Sequence, residues 1–195
     1  MIKKSLAMAS LLALGTSAMA IDVQPFVGAG AGISWNKSDA TATIGAVSAS
    51  ESDRNSSASL ILKGGAILDG SHRLSLNYAP SFHSDANVHN VMAGYDYLIP
   101  VNNESRVYVG VHLGSTSFKG KKNLDGVDDT WFAYGLQTGY IYDITKNIEF
   151  EFGLNYTKHD LDKTGTMRAN NGNPVSVKLE MKDSISTFAG INYKF

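Results

Sequence analysis

Histidine and carboxylate come close together in two stretches: His83 and His89 with Ser84 and Asp85 in one, His159 and Asp160, without a serine, in the other. These are the residue types of nucleophilic acyl transfer, in which an imidazole takes the serine proton and a carboxylate orients the imidazole. Their spacing argues against that chemistry. Neighbours along an extended chain point to opposite sides, so His83 and Ser84 do not face one substrate. All six residues read as solvated connections. His83 and His89 also lack a metal-ligand spacing. The chain has no cysteine, which removes thiolate nucleophiles, thiolate metal sites and disulfides. The glycines between positions 28 and 32 sit inside an alternating segment rather than at a strand-to-helix turn, so they make no phosphate cradle. The expectation is a chain without catalytic, cofactor-binding or metal-ligating residues.

A second set of charges is better placed. Lys63, Arg73, Asp96, Arg106, Glu149, Glu151, Glu180 and Lys194, with His112, fall on the polar side of segments that alternate apolar and polar. A period of two marks a strand with two unlike faces. Charges taken out of water must be paired. Glu149 and Glu151 are therefore expected to meet Arg or Lys from neighbouring strands, in a network that holds the fold together and plugs its interior.

The elements that must position these residues are eight alternating segments, at about 23–35, 58–68, 72–82, 88–99, 106–118, 130–142, 148–159 and 175–195. Polar connections at 36–57, 84–87, 119–129 and 160–174 alternate with short turns at 69–71, 100–104 and 143–147. Residues 175–182 read as an extension of the last hairpin beyond a bilayer. In each segment one face is free of Lys, Arg, Asp and Glu through its centre, while the other carries the charges and much of the glycine. An apolar exterior around a polar interior is the inverse of a soluble sandwich. The expected fold class is all-β: a closed, eight-stranded, antiparallel, up-and-down transmembrane β-barrel. Its lumen is only wide enough to be filled by side chains, and inner-face glycine makes room for larger neighbours. Trp35, Phe82, Phe118, Trp131, Phe132 and Tyr156 fall near the long connections, and Tyr97, Tyr140, Tyr142, Tyr193 and Phe195 near the short ones, as two interfacial girdles.

Both ends agree. Residues 1–20 combine Lys3 and Lys4, an apolar stretch from Leu6 to Leu14, and the small-x-small site Ala18-Met19-Ala20, which reads as a cleaved signal peptide leaving a barrel domain over 21–195. The apolar stretch is too short to span a bilayer, which takes about 20 residues. Loss of Lys3 and Lys4 from 17 basic residues, against 18 acidic ones, leaves a net charge near −3, which does not suit nucleic acid. At the other end Ile185, Thr187, Ala189, Ile191, Tyr193 and Phe195 alternate with polar residues, Phe188 being the exception.

The first segment, Pro25-Phe26-Val27-Gly28-Ala29-Gly30-Ala31-Gly32-Ile33-Ser34-Trp35, and the ending Tyr193-Lys194-Phe195 resemble the small eight-stranded outer-membrane barrels. That superfamily includes the outer-membrane protein A membrane domain, the Ail/OmpX-like proteins, and the opacity and surface-antigen porin-like proteins. The resemblance implies a Gram-negative outer membrane with lipopolysaccharide around the barrel. It also implies periplasmic termini, surface-exposed long connections, and recognition of Phe195 by the barrel-assembly machinery. The expected role is a non-enzymatic surface protein, structural, adhesive or protective, engaging a host or phage ligand through 36–57 and 160–174. The two rival expectations are a lipid A-modifying enzyme, for which His83, Ser84, Asp85, His89, His159 and Asp160 are the relevant residues, and a narrow small-solute channel.

Overall fold

The alternation is built into eight strands: β1 Val23–Ile44, β2 Val47–Leu68, β3 His72–Phe82, β4 Ala86–Pro100, β5 Ser105–Gly120, β6 Asp128–Asp143, β7 Ile148–Arg168 and β8 Pro174–Lys194. The computed structural model describes residues 21–44, 47–82, 86–120, 128–168 and 174–195. The expected signal peptide, 1–20, lies outside them. Each strand pairs antiparallel with the next, and β1 pairs with β8 to close the barrel. Closure leaves no backbone edge inside the wall, the only way a sheet can cross hydrocarbon.

The two faces are as the pattern requires. Val27, Leu62, Leu113 and Phe152 point outward and are about half exposed, while Arg73, Asp96, Glu149 and Glu151 on the alternate positions are buried. Trp35, Phe132 and Tyr156 are exposed towards the long hairpins, and Tyr97, Tyr140, Tyr142, Tyr193 and Phe195 towards the short turns. Trp131 departs from the expected girdle. It shares the inward parity of buried Ala133, and its indole nitrogen is enclosed. The side chains of Phe82 and Phe118 lie outside the description. The β2–β3 turn has Asp69 and Gly70 at φ of 47° and 67°, and Ser71 N donates to Leu68 O at 3.1 Å. Two consecutive positive φ values suit the right-handed twist of a two-residue hairpin.

The largest correction concerns the long connections. Residues 36–44 and 47–57 are strand, not loop: β1 and β2 stay in register from Val23↔Leu68 to Ile44↔Val47. Likewise β7 and β8 pair out to Arg168↔Pro174, so most of 160–174 is strand, and 175–182 extends the hairpin as expected. The Ser, Thr, Ala and Asp content reads as loop, but continuing the ladder gives partners to the backbone N–H and C=O groups that face across each hairpin. The two hairpins also support one another, because β1 pairs with β8 up to Thr43↔Ser176. Elsewhere the wall is low. The β3–β4 hairpin is paired out to Phe82↔Asn87. Among the described residues β2 pairs with β3 no higher than Ser59↔Ser81, and β6 with β7 no higher than Ala133↔His159. A four-stranded sheet, β2-β1-β8-β7, therefore rises above the rest of the barrel.

Candidate functional site

At the short-turn end the lumen is packed. Phe26, Ile67, Leu98, Tyr108 and Ile141 form a buried apolar cluster. Space for the Tyr108 ring comes from β6 and β7. A Cβ on Gly139 or Gly153 would collide with the Tyr108 hydroxyl, which bears out the expectation that inner-face glycine accommodates a large neighbour.

Around that cluster lie two sets of ion pairs. In one, Arg106 Nη2 binds Asp143 Oδ1 at 3.0 Å and also Glu149 Oε1, and Lys194 Nζ binds Asp143 at 2.8 Å and Glu149 at 3.0 Å. In the other, Glu151 Oε1 takes Lys63 Nζ at 2.8 Å and Arg73 Nη2 at 3.0 Å, while Arg73 Nε binds Asp96 Oδ2 at 2.8 Å. Each set holds two cations and two carboxylates, so each is neutral. Asn192 Nδ2 donates to Glu151 Oε2 at 2.8 Å and Gln137 Nε2 to Asp96 Oδ1 at 2.5 Å, which occupies further carboxylate oxygens. The Arg73 guanidinium lies 4.5 Å from the Tyr108 ring centre, and Lys63 Nζ 4.7 Å from that of Phe188. Aromatic faces attract cations, so the one aromatic that broke the β8 alternation serves the network from inside.

The structure brings together seven of the eight charges expected inside, Lys63, Arg73, Asp96, Arg106, Glu149, Glu151 and Lys194, with His112 above them. The Glu180 side chain lies outside the description. One expectation is corrected. Glu151 on β7 meets Lys63 of β2 and Arg73 of β3, across the lumen rather than on a neighbouring strand; of the ion pairs made by Glu149 and Glu151, only Glu149–Lys194 joins adjacent strands. Strand tilt and stagger set which residues share a level, and sequence adjacency does not reveal it. Asp143 was missed as a turn residue. The sequence set already balanced four cations with four acids, Glu180 among them, so charge counting gave no signal for Asp143.

Towards the long hairpins the lining becomes polar and uncharged. His112 Nε2 and Thr157 Oγ1 are hydrogen-bonded at 2.9 Å, His112 Nδ1 and Gln137 Oε1 at 3.2 Å, and Thr116 Oγ1 donates to Asn90 Oδ1 at 2.7 Å. His159 and His89 are not solvated loop residues, as the sequence suggested. His159 Nε2 is hydrogen-bonded to Ser184 Oγ at 3.0 Å, a histidine–serine pair that strand separation hid from sequence reasoning. Its Nδ1 is buried and has no hydrogen-bond partner, so no carboxylate orients the ring as a hydrolytic triad requires. Asp160, next to it, is exposed. His89 faces outward, its Nδ1 hydrogen-bonded to Tyr78 Oη at 2.8 Å with the rings stacked. His83, Ser84 and Asp85 lie outside the described residues.

Solved structures share this architecture. Neisserial surface protein A is 17% identical, with 91% of this chain and 100% of that one covered at a TM-score of 0.57. OprG of Pseudomonas aeruginosa is 14% identical over 88% and 95%, TM-score 0.58. Outer membrane protein H of the same organism is 21% identical over 88% and 99%, TM-score 0.54. No family model matches the sequence, and no curated protein matches it. The fold is that of the small eight-stranded outer-membrane β-barrels.

Proposed function

We propose that this chain is a non-enzymatic surface protein of the bacterial outer membrane, with the long hairpins outside the cell and both termini in the periplasm. The observation that carries this reading is the projecting β2-β1-β8-β7 sheet. Twelve residues of β1, 33–44, continue past the level where β2 leaves β3, roughly 40 Å along the strand. The crest is held by three ladders rather than one, so it presents an ordered surface. Binding to a preformed surface avoids the ordering entropy of a mobile loop. An enzymatic role is opposed by the His159–Ser184 pair, which lacks an orienting carboxylate among the described residues, and a channel by the packed short-turn end of the lumen. Phe195 is exposed at the short-turn end beside Tyr193, 5.2 Å between ring centres, which suits its proposed recognition by the assembly machinery. Lipopolysaccharide surrounds the barrel in this reading, and the ligand at 36–57 and 160–174 is of host or phage origin.

The test is a hairpin exchange. Residues 40–51 are replaced by Asn-Gly, and cells carrying either form are scored for adherence to immobilised matrix and serum proteins and for phage adsorption. The trimmed barrel is expected to insert normally and to lose the binding. Equal binding by both forms would sink the proposal.

A further inference from the structure

We infer that the outer wall over β8, β1 and β2 is a binding site for one acyl chain and one phosphate of an outer-leaflet phosphorylated glycolipid of the lipid A type. The inference rests on the orientation proposed above. Its first observation is a groove of about 530 Å³, within the roughly 300–1,000 Å³ range of small-ligand sites. Its walls are Ala31 and Ile33 of β1, Ala58 and Leu60 of β2, and Thr187 and Ala189 of β8. All six occupy outward positions, and registers Ala31↔Ala189, Ile33↔Thr187, Ala31↔Leu60 and Ile33↔Ala58 make them one contiguous patch. Three alanines lower the surface between the taller Ile33 and Leu60. Gly32 and Phe188, opposite each other on the inward positions, form part of the lining. Pro80 closes one side. It has no N–H to give, and the β2–β3 ladder is interrupted there, between Ser59↔Ser81 and Leu62↔Tyr78. A groove walled by apolar groups and facing hydrocarbon is filled by an acyl chain, because an empty one forfeits dispersion contacts.

The second observation is independent and concerns charge. Trp35 is the next outward position of β1 above the groove, where an interfacial aromatic belongs. Lys37 is the next after it, about 13 Å along the strand from Ile33. At that level the register runs Lys158↔Asp183 between β7 and β8, Lys37↔Asp183 between β8 and β1, and Lys37↔Arg54 between β1 and β2. Three of the four positions are basic. On the low wall the comparable outward positions carry His89, Ser117 and Thr130 instead, the last two hydrogen-bonded to each other at 2.9 Å. Cationic positions and groove thus share the same strands, cations above and hydrocarbon trough below. A lipid with phosphate on its headgroup matches that order along the membrane normal, and the lysine stem reaches up to the headgroup level.

Native mass spectrometry of the mature protein, refolded in detergent with lipid A or with phosphatidylglycerol, tests it. One lipid A should be retained and phosphatidylglycerol should not. Ala58→Leu, which fills the groove, and Lys37→Glu should each lower retention about tenfold, whereas Leu136→Phe on the far wall should leave it unchanged. Heat-dependent gel mobility checks folding, and Ala189→Leu replaces Ala58→Leu if that variant does not fold. Unaltered retention by the folded groove and Lys37 variants, or equal retention of phosphatidylglycerol, overturns the inference. Whole-cell labelling of Ser50→Cys by an impermeant maleimide tests the orientation separately. Retained lipid A with no labelling would overturn the outer-leaflet assignment while leaving the groove occupied.

Discussion

The short-turn end of the lumen and the projecting crest are made by the same strands, yet they hold together in different ways. In β1, Phe26 is enclosed by the apolar cluster, while eighteen residues on, Ile44 is the last described ladder position, opposite Val47. The floor is fixed by side chains: an apolar cluster, two neutral sets of ion pairs, and glycines that leave room for Tyr108. The crest is fixed by backbone pairing, with Ser, Thr and Ala at just over half of the described positions of its β1–β2 hairpin. A floor of this kind tolerates little change, whereas a crest tolerates much, provided the ladder survives. Stability and surface recognition are thereby separated along each strand, which lets the outer sequence vary without endangering the barrel.

The sharpest way to break this contrast is to remove Glu151. It accepts from Lys63, Arg73 and Asn192 and is 1% exposed. Glu151→Ala leaves two buried cations short of a partner, a loss on the order of 3–5 kcal/mol. Urea unfolding of the refolded variant in lipid vesicles should show it, whereas the 40–51 exchange should leave the midpoint close to wild type. A similar midpoint for Glu151→Ala and the hairpin exchange would mean that the floor is not the stabilising region.

Phe188 refines the same comparison at smaller amplitude. Its ring faces Lys63, and Phe188→Leu keeps an apolar side chain while losing the aromatic face. The expected loss is about 1–2 kcal/mol, from cation–π attraction and some packing. If Lys63 already gains enough from Glu151, Phe188→Leu in a Glu151→Ala background should cost more than in wild type. Additive effects would show that ring and carboxylate act on Lys63 independently.

These residues also mark how far the sequence is legible. Period-two alternation put Lys63, Arg73, Asp96, Glu149 and Glu151 inside, because parity alone decides the face of a strand. It would also have placed Trp131 inside with Ala133; grouping it with Phe132 in a girdle overrode the parity. Which charge meets which was not legible, because Glu151 reaches Arg73 only through the tilt of a closed barrel. The crest was illegible for a different reason. Ser48 to Ser57 carries no strong strand former, and its extended state comes from pairing with β1, which in turn leans on β8. Local composition reads such a segment as loop; three ladders together make it sheet.

The smallest expected effect lies between floor and crest, at His159 and Ser184. Their hydrogen bond sits at the top of the β6–β7 ladder, where His159 falls within the β7–β8 irregularity between Lys158 and Leu161. Ser184→Ala removes one partner of a half-buried imidazole. Near the mouth water can replace it, so the loss should stay within about 1 kcal/mol. If the pair merely secures the rim, Ser184→Ala cells should give the same lipid A mass spectrum as wild type and keep the crest-dependent binding. A lipid A species that disappears with Ser184→Ala and returns with the wild-type serine would instead make the rim a reactive centre. The division between a stabilising floor and a recognising crest would then need a third, catalytic level at the height of His159.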